Sequence, residues 1–262
     1  NHKSIYLTFS DNEKKKFLSE IGKWLDQIKN KVDNSSLFKE LSQTIEQFKI
    51  PAWPFEAFAS AMVYDINHNG FATLKDFLDY AGGASVAPAS IFVHLCGIKK
   101  DSEQYLPPVF NVREAALPCA VFSYLVHIIR DFQKDQFNNL NYFADDILAK
   151  YGLMKDDLKK IAKEVKIPKE FRLVIKEYYN IADEYRLKTY NMIQSLWPYL
   201  EARYRLSLEI IFNLYLMVYE RFEVESGNFT TRELNPTHAE IKQRVFTTIQ
   251  QFQRKESNYI KF

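Results

Sequence analysis

Glycine, proline and cysteine are scarce in this sequence. Only 7 Gly and 9 Pro occur in 262 residues, which is too little punctuation for many short strands and favours long helices. The two cysteines, Cys96 and Cys119, lie in apolar surroundings. We therefore expect no disulfide framework and a reduced, cytoplasmic setting.

The chain also lacks an excess of charge of either sign and a long uninterrupted apolar run. Its 35 basic and 33 acidic residues leave a net charge of +2, which gives no electrostatic basis for binding nucleic acid. The start, "NHKSIYLTFS", has no basic region followed by an apolar stretch, so we expect no signal peptide. The longest apolar run, "LSLEIIFNLYLMVY", contains Glu209 and Asn213 and is too short to cross a bilayer.

Apolar residues recur at helical spacing along the chain. Hydrophobic residues make up 47% of the sequence and aromatic residues 15%, which is enough for a large core. No stretch alternates as a strand would, and "IKKDSEQYLPP" reads as a charged connector. Helices are predicted near 11–32, 35–48, 55–64, 74–97, 111–135, 155–165, 168–197, 199–225 and 237–252. The sequence therefore predicts an all-α, single-domain bundle over residues 1–262.

Residues 65–76, "DINHNGFATLKD", have the spacing of a helix–loop–helix calcium loop, with Gly70 at the sixth position. Such a loop normally ends in Glu, here Asp76, and carries a branched apolar residue at the eighth position, here Ala72. No second loop of this kind occurs in the sequence. The competing interpretation is a turn followed by a helix that Thr73 and Asp76 cap, and we favour it.

The stretch "FSYLVHIIRDFQKDQFNNLNYF" places two carboxylates on one face of an apolar helix. Asp131 and Asp135 are four residues apart, and His127 extends the same stripe. Carboxylates in an apolar helix are costly unless they are paired or bind a cation, and two of them one turn apart suit Mg²⁺. The alternative is a surface ladder of salt bridges to Arg130 and Lys134. Spacing alone leaves both interpretations open.

A resemblance to a known family bears on that choice. "HIIRDFQKDQFNNLNYFADDIL" resembles the second aspartate-rich motif of the squalene/phytoene synthase family. That motif reads roughly Q-x-x-N-x-x-R-D-x-x-x-D, with a Tyr a few residues later. Looser similarities cover "HKSIYLTF", "YDINHNGFATLKDFLDYAGGASVAP" and "LYLMVYERF". The positions that match the family are Ser4, Asp65, Tyr80, Arg130, Asp131, Asp135, Tyr142 and Tyr215.

The resemblance implies a bundle of isoprenoid synthase type with a central apolar cavity. It implies a Mg²⁺-dependent prenyltransferase that condenses isoprenyl diphosphates, farnesyl or geranylgeranyl. Asp131 and Asp135 would be catalytic and would bind metal, with His127 as a third ligand where the family has Asn. The substrate-binding residues would be Arg130, Ser4, Tyr80, Tyr142 and Tyr215. We expect a monomer or weak dimer, and apolar substrates make association with a membrane surface an expectation too.

The family's first aspartate-rich motif is not found in this sequence. We therefore expect a segment to be missing between about residues 10 and 11. Two other functions stay open. One is hydrolysis of a prenyl diphosphate to the alcohol, and the other is a non-catalytic lipid-binding or assembly protein on the same fold.

Overall fold

The computed structural model describes residue 6 and residues 8–30, 36–164 and 166–259. Helices dominate this part of the chain, as the sequence predicts, and the all-α fold class is confirmed. The helices are α1 (Asp11–Asn30), α2 (Ser36–Gln47), α3 (Trp53–Asn67), α4 (Leu74–Ala81), α5 (Ala87–Gly97), α6 (Val112–Arg130), α7 (Phe132–Phe137), α8 (Asp145–Lys150), α9 (Lys155–Ile161), α10 (Lys169–Leu196), α11 (Ala202–Tyr219), α12 (Thr231–Leu234) and α13 (His238–Tyr259). A π-helical turn, Gly82–Val86, joins α4 to α5, and a 3₁₀ turn, Trp197–Tyr199, follows α10.

The sequence shows no strand pattern in the charged connector at 98–108, but the structure has a pair of strands there. The connector forms a hairpin in which β1 (Lys99–Asp101) pairs antiparallel with β2 (Gln104–Leu106). Ser102 in the turn has a φ of 53°. The ring of Tyr105 packs 4.8 Å from that of Phe48, measured between centroids. The two strands are too short to show an alternating pattern in the sequence.

The chain divides into two compact units and passes from one to the other within α6, after Asn138 and within α8. The first comprises Asn1–Ala120 and Asn139–Asp145, and the second comprises Val121–Asn138 and Asp146–Phe262. The expectation of a single domain over 1–262 stays a prediction.

In the first unit, close approach of backbones brings the π-helical turn onto α3. A Cβ built on Gly83 would lie 2.3 Å from the carbonyl oxygen of Ala57 and 2.8 Å from Cβ of Ala61. Small residues on both elements therefore allow a contact that any side chain at Gly83 would prevent.

The calcium-like loop of the first unit is a capped helix start. Thr73 Oγ1 accepts a hydrogen bond from the backbone N–H of Asp76, and the Asp76 carboxylate accepts from the backbone N–H of Thr73 at 2.9 Å. Gly70 has a φ of 110°, which supplies the turn. The capping interpretation is confirmed.

In the second unit, aromatic side chains hold the end of α6 and the start of α7 against the later helices. Phe122 of α6 lies 5.7 Å from Phe212 of α11, and Phe132 of α7 lies 4.5 Å from Phe171 of α10. Phe122 and Phe132 are both almost wholly buried. The acidic stretch is thus fixed to the core of this unit.

Among the described residues, α6 is long and apolar enough to span a membrane by length and composition. The protein's own residues bury 56% of its apolar window. Core helices meet the same criteria, so the observation is weak evidence for a membrane span.

Candidate active site

The candidate site begins where α6 ends. Asp131 has φ −93° and ψ 5°, a sparsely populated conformation that separates α6 from α7. The predicted helix over 111–135 is therefore interrupted at this residue. The hydrogen bonds continue through the interruption, because Asp131 N–H donates to His127 O at 2.9 Å and Asp135 N–H donates to Asp131 O at 2.8 Å. Asp131 and Asp135 consequently remain one turn apart.

Apolar neighbours carry these carboxylates into the protein. Ile128, Ile129 and Phe132 are at most 1% exposed, and Asp131 and Asp135 are each 6% exposed. The two carboxylates are therefore not part of an exposed ladder, although the ion pair of Arg130 with Asp131 is present and Lys134 beside them is exposed. Burial of two carboxylates in an apolar segment is costly, so a compensating charge is required.

Part of that compensation comes from Arg130 and His127. Arg130 Nε donates to Asp131 Oδ1 at 2.8 Å, and Arg130 Nη2 donates to Asp131 Oδ2 at 3.1 Å. His127 Nε2 lies 2.8 Å from the same Oδ2. The other ring nitrogen of His127, Nδ1, lies 3.3 Å from Arg130 Nη2. These three side chains form a closed network within the second unit.

The two carboxyl groups respond to this setting in opposite directions. Burial tends to raise the pKa of Asp131, but the hydrogen bonds from His127 and Arg130 outweigh it and hold the pKa well below its usual range. Burial and the neighbouring Asp131 charge raise the pKa of Asp135 to about 6. Burial also opposes the charge of Arg130, yet Asp131 keeps the pKa of the guanidinium above its usual value. A cation placed beside Asp135 would relieve the repulsion between the carboxylates.

The donor set can be tested against Mg²⁺ on these observations. No group of three His, Cys, Asp or Glu side chains within the described ranges is arranged to hold a metal ion. Mg²⁺ does not need such a group, since it keeps several waters and binds through one or two carboxylates together with substrate phosphates. Asp131 and Asp135 supply two carboxylates with a charge to be offset, and so they fit this ion. Binding of the ion by Asp131, Asp135 and His127 stays a prediction.

Two predicted tyrosines of the first unit meet on one phenylalanine. Tyr80 and Tyr142 lie 5.1 Å and 6.4 Å from Phe71, measured between ring centroids. Tyr80 Oη donates to Asp65 Oδ2 at 3.0 Å, so the position of Asp65 at the end of α3 is tied to α4. Phe71 was not singled out from the sequence. The sequence gives only a slight indication of this role for Phe71, because one aromatic residue in a turn does not show that residues 139–145 pack on it.

The remaining predicted residues are placed as follows. Tyr215 lies on α11 in the second unit, close enough to Arg130 to interact electrostatically with the guanidinium. Ser4 lies outside the described residues. The junction between Ser10 and Asp11 forms the start of α1, where Ser10 N–H donates to Glu13 Oε2 at 2.8 Å. The expectation of a missing segment at that junction stays a prediction.

Comparison with known proteins identifies the family to which these features belong. A model of the squalene/phytoene synthase family matches residues 8–242. Phytoene synthase 2 of Zea mays is 27% identical over 118 residues, which are 45% of this chain and 29% of the maize protein. Phytoene synthase 2 of Solanum lycopersicum is 28% identical over 121 residues, 45% of this chain and 37% of the tomato protein. The chain thus matches only about a third of the length of these relatives.

Solved structures support the same fold. A dehydrosqualene synthase determined in complex with a ligand aligns over 94% of this chain and 80% of its own, with a TM-score of 0.70 and 14% identity. Squalene synthase HpnC from Alicyclobacillus acidocaldarius aligns over 78% of this chain and 73% of its own, with a TM-score of 0.59 and 16% identity. Because the family model covers most of the sequence, the conclusion is plain: the chain belongs to the squalene/phytoene synthase family.

Proposed function

We propose that this protein is a Mg²⁺-dependent prenyltransferase that condenses two isoprenyl diphosphates, farnesyl or geranylgeranyl. The observation that carries the proposal is the buried pair Asp131 and Asp135 with Arg130 bonded beside it. The curated relatives matched by this chain are named phytoene synthases, which supports transfer of a prenyl group over other chemistry of diphosphates.

In the proposed reaction, the C–O bond of one allylic diphosphate breaks and the bonding electrons leave with the diphosphate. The double bond of the second substrate then attacks the allylic cation, a C–C bond forms and a proton is released. Mg²⁺, when bound, supplies positive charge that stabilises the departing diphosphate. In the chain itself, Asp131 and Asp135 would hold that ion, and Arg130 would donate hydrogen bonds to the diphosphate oxygens.

The geometry supports the proposed role of each of these side chains. Asp131 is ionised, because its hydrogen-bonding partners keep its pKa low. Arg130 is already oriented by Asp131 through two hydrogen bonds, so little side-chain entropy is lost when it binds an anion. The burial of both carboxylates limits competition from water. We further propose that Tyr80, Tyr142 and Tyr215 contact the substrate, because aromatic faces stabilise a nearby cation.

The test is to incubate the protein with radiolabelled farnesyl diphosphate or geranylgeranyl diphosphate and Mg²⁺, and to resolve the products by chromatography. Asp131→Ala and Asp135→Ala are assayed in parallel. Glu184→Gln serves as a matched control, since it removes an exposed carboxylate that is paired at i,i+4 with Lys188 on α10. We expect a condensed prenyl product from the wild type and the control, and none from the two Asp variants.

The identity of the product decides between functions. A hydrocarbon or cyclopropyl diphosphate supports the transferase, and a prenyl alcohol as the sole product contradicts it in favour of a phosphatase. Absence of turnover with both substrates also contradicts it, and would favour a lipid-binding or assembly protein that keeps the fold. Equal turnover by the wild type and both Asp variants would show that the chemistry takes place elsewhere.

A further inference from the structure

The contacts of His127 determine where its ring carries a proton. Every guanidinium nitrogen of Arg130 is a donor and none can accept, so the 3.3 Å contact from Arg130 Nη2 requires His127 Nδ1 to accept. A ring that accepts at Nδ1 holds its proton on Nε2. That proton points at Asp131 Oδ2, 2.8 Å away. Both ring nitrogens are therefore engaged in the network with Arg130 and Asp131.

This engagement argues against His127 as a ligand of the cation. Nε2 carries a proton and has no lone pair to give, and the lone pair of Nδ1 faces a guanidinium cation. Mg²⁺ also prefers oxygen to imidazole nitrogen. For His127 to coordinate the ion, at least one of its two hydrogen bonds would have to break.

The network leaves specific atoms of its two partners available. Three donors reach Asp131, two of them at Oδ2 and one at Oδ1. A carboxylate has about four lone-pair sites, so the remaining one is on Oδ1. In Arg130, Nε and Nη2 are used within the network, while Nη1 lies outside it.

We propose that His127 is a positioning residue, which holds Asp131 and Arg130 so that Asp131 Oδ1 remains for the metal and Arg130 Nη1 for the diphosphate. The proposal rests on the proposed function for the identity of those ligands. The side chain of His127 is 41% exposed while that of Asp131 is 9% exposed. Because the imidazole is much more exposed than the carboxylate, it can be replaced with little loss of core packing.

The first test is nuclear magnetic resonance of the full chain labelled with ¹⁵N at its five histidines. His127→Gln identifies the His127 signals by their absence. We expect a ring protonated on Nε2, both without metal and after addition of Mg²⁺ with inorganic pyrophosphate. A ring protonated on Nδ1, or loss of the Nε2 proton on addition of Mg²⁺, would overturn the proposal.

The second test compares replacements by the affinity for Mg²⁺ in the presence of inorganic pyrophosphate, measured by calorimetry. His127→Phe keeps a ring but no hydrogen bonds, and we expect about 10- to 100-fold weaker binding. His127→Gln can donate to Asp131 and accept from Arg130, so we expect it to recover most of the loss. His238→Phe, an exposed histidine of α13, should bind as the wild type does.

Two outcomes of the calorimetry would contradict positioning by His127. One is wild-type affinity in His127→Phe. The other is tighter binding of Mg²⁺ by His127→Asn than by His127→Gln. That result would indicate that residue 127 coordinates the ion directly, through the amide oxygen of Asn, and does not position Asp131 and Arg130. A wild type that shows the expected ring signals but makes no prenyl product would overturn the proposed function and leave the positioning role standing.

Discussion

At the residue scale, Asp135 shows how the candidate site lowers the stability of the metal-free protein. Its carboxyl is 6% exposed and lies one turn from the ionised Asp131. Burial and that neighbouring charge raise its pKa to about 6 from an ordinary 3.8. A group that is costly when charged, and is placed beside a like charge, is better explained by binding of a cation than by stability.

We predict that Asp135→Asn makes the metal-free protein more stable at pH 7.5. The ionised carboxyl destabilises the folded chain, so its neutral isostere should raise the free energy of unfolding by roughly 1–3 kcal/mol. Because the pKa of Asp135 is raised in the folded state, the penalty is absent below pH 3.8, grows as pH rises to about 6, and is complete above it. Urea unfolding in EDTA at several pH values measures the difference.

The control is the pH dependence of that difference between the variant and the wild type. It should shrink as pH falls from 7.5 to 4, because the wild-type carboxyl becomes protonated. A variant that is less stable than the wild type at pH 7.5, or a difference that does not change with pH, would contradict this account of Asp135.

At the element scale, the contact between the π-helical turn and α3 sets how the first unit packs. We predict that Gly83→Ala destabilises the protein by about 1–3 kcal/mol, since its Cβ would meet the backbone oxygen of Ala57. Gly82→Ala is the matched control, because a Cβ there has nothing within 4 Å. In a helical turn that substitution should be neutral or stabilising, by up to about 1 kcal/mol. Thermal unfolding of both variants tests the contact, and equal stability would refute it.

A second contact between elements ties α13 to α11 in the second unit. Arg205 Nη2 lies 2.9 Å from Glu256 Oε2, with side chains only 14% and 18% exposed. We predict that Glu256→Ala lowers stability by about 1–3 kcal/mol, because it leaves a largely buried guanidinium without its carboxylate.

Glu225→Ala is the control for that substitution. The pair of Glu225 with Lys176 is well exposed on both sides, and its loss should cost less than about 1 kcal/mol. Denaturant midpoints of the two variants give the comparison. If Glu256→Ala lowers stability no more than Glu225→Ala does, the ion pair of Arg205 with Glu256 does not stabilise the packing of α13.

At the scale of the whole molecule, helical periodicity was enough to predict the fold class and the approximate position of most helices. It missed the hairpin, because three residues in each strand show no alternation. It also missed the interruption at Asp131. The sequence around that residue favours helix throughout, and the chain turns there where Phe132 packs on Phe171 of α10, a contact distant in sequence.

Likewise, some features of the candidate site could be predicted from the sequence and others could not. Asp131 and Asp135 were found because charge in an apolar helix is conspicuous. The ring orientation of His127 and the role of Phe71 depend on contacts that spacing does not encode. Asp145 N–H donates to Phe71 O at 2.9 Å, which joins segments about seventy residues apart. Such pairings become visible only in the folded chain.

The central claim is that prenyl diphosphate chemistry takes place at Asp131 and Asp135. The most direct measurement is the initial rate of inorganic diphosphate release from geranylgeranyl diphosphate with Mg²⁺, for the wild type, Asp131→Asn and Glu184→Gln. We predict that Asp131→Asn loses at least about 100-fold in rate, because a group that stabilises the transition state is removed, while Glu184→Gln keeps the wild-type rate. Equal rates for Asp131→Asn and the wild type would contradict the claim.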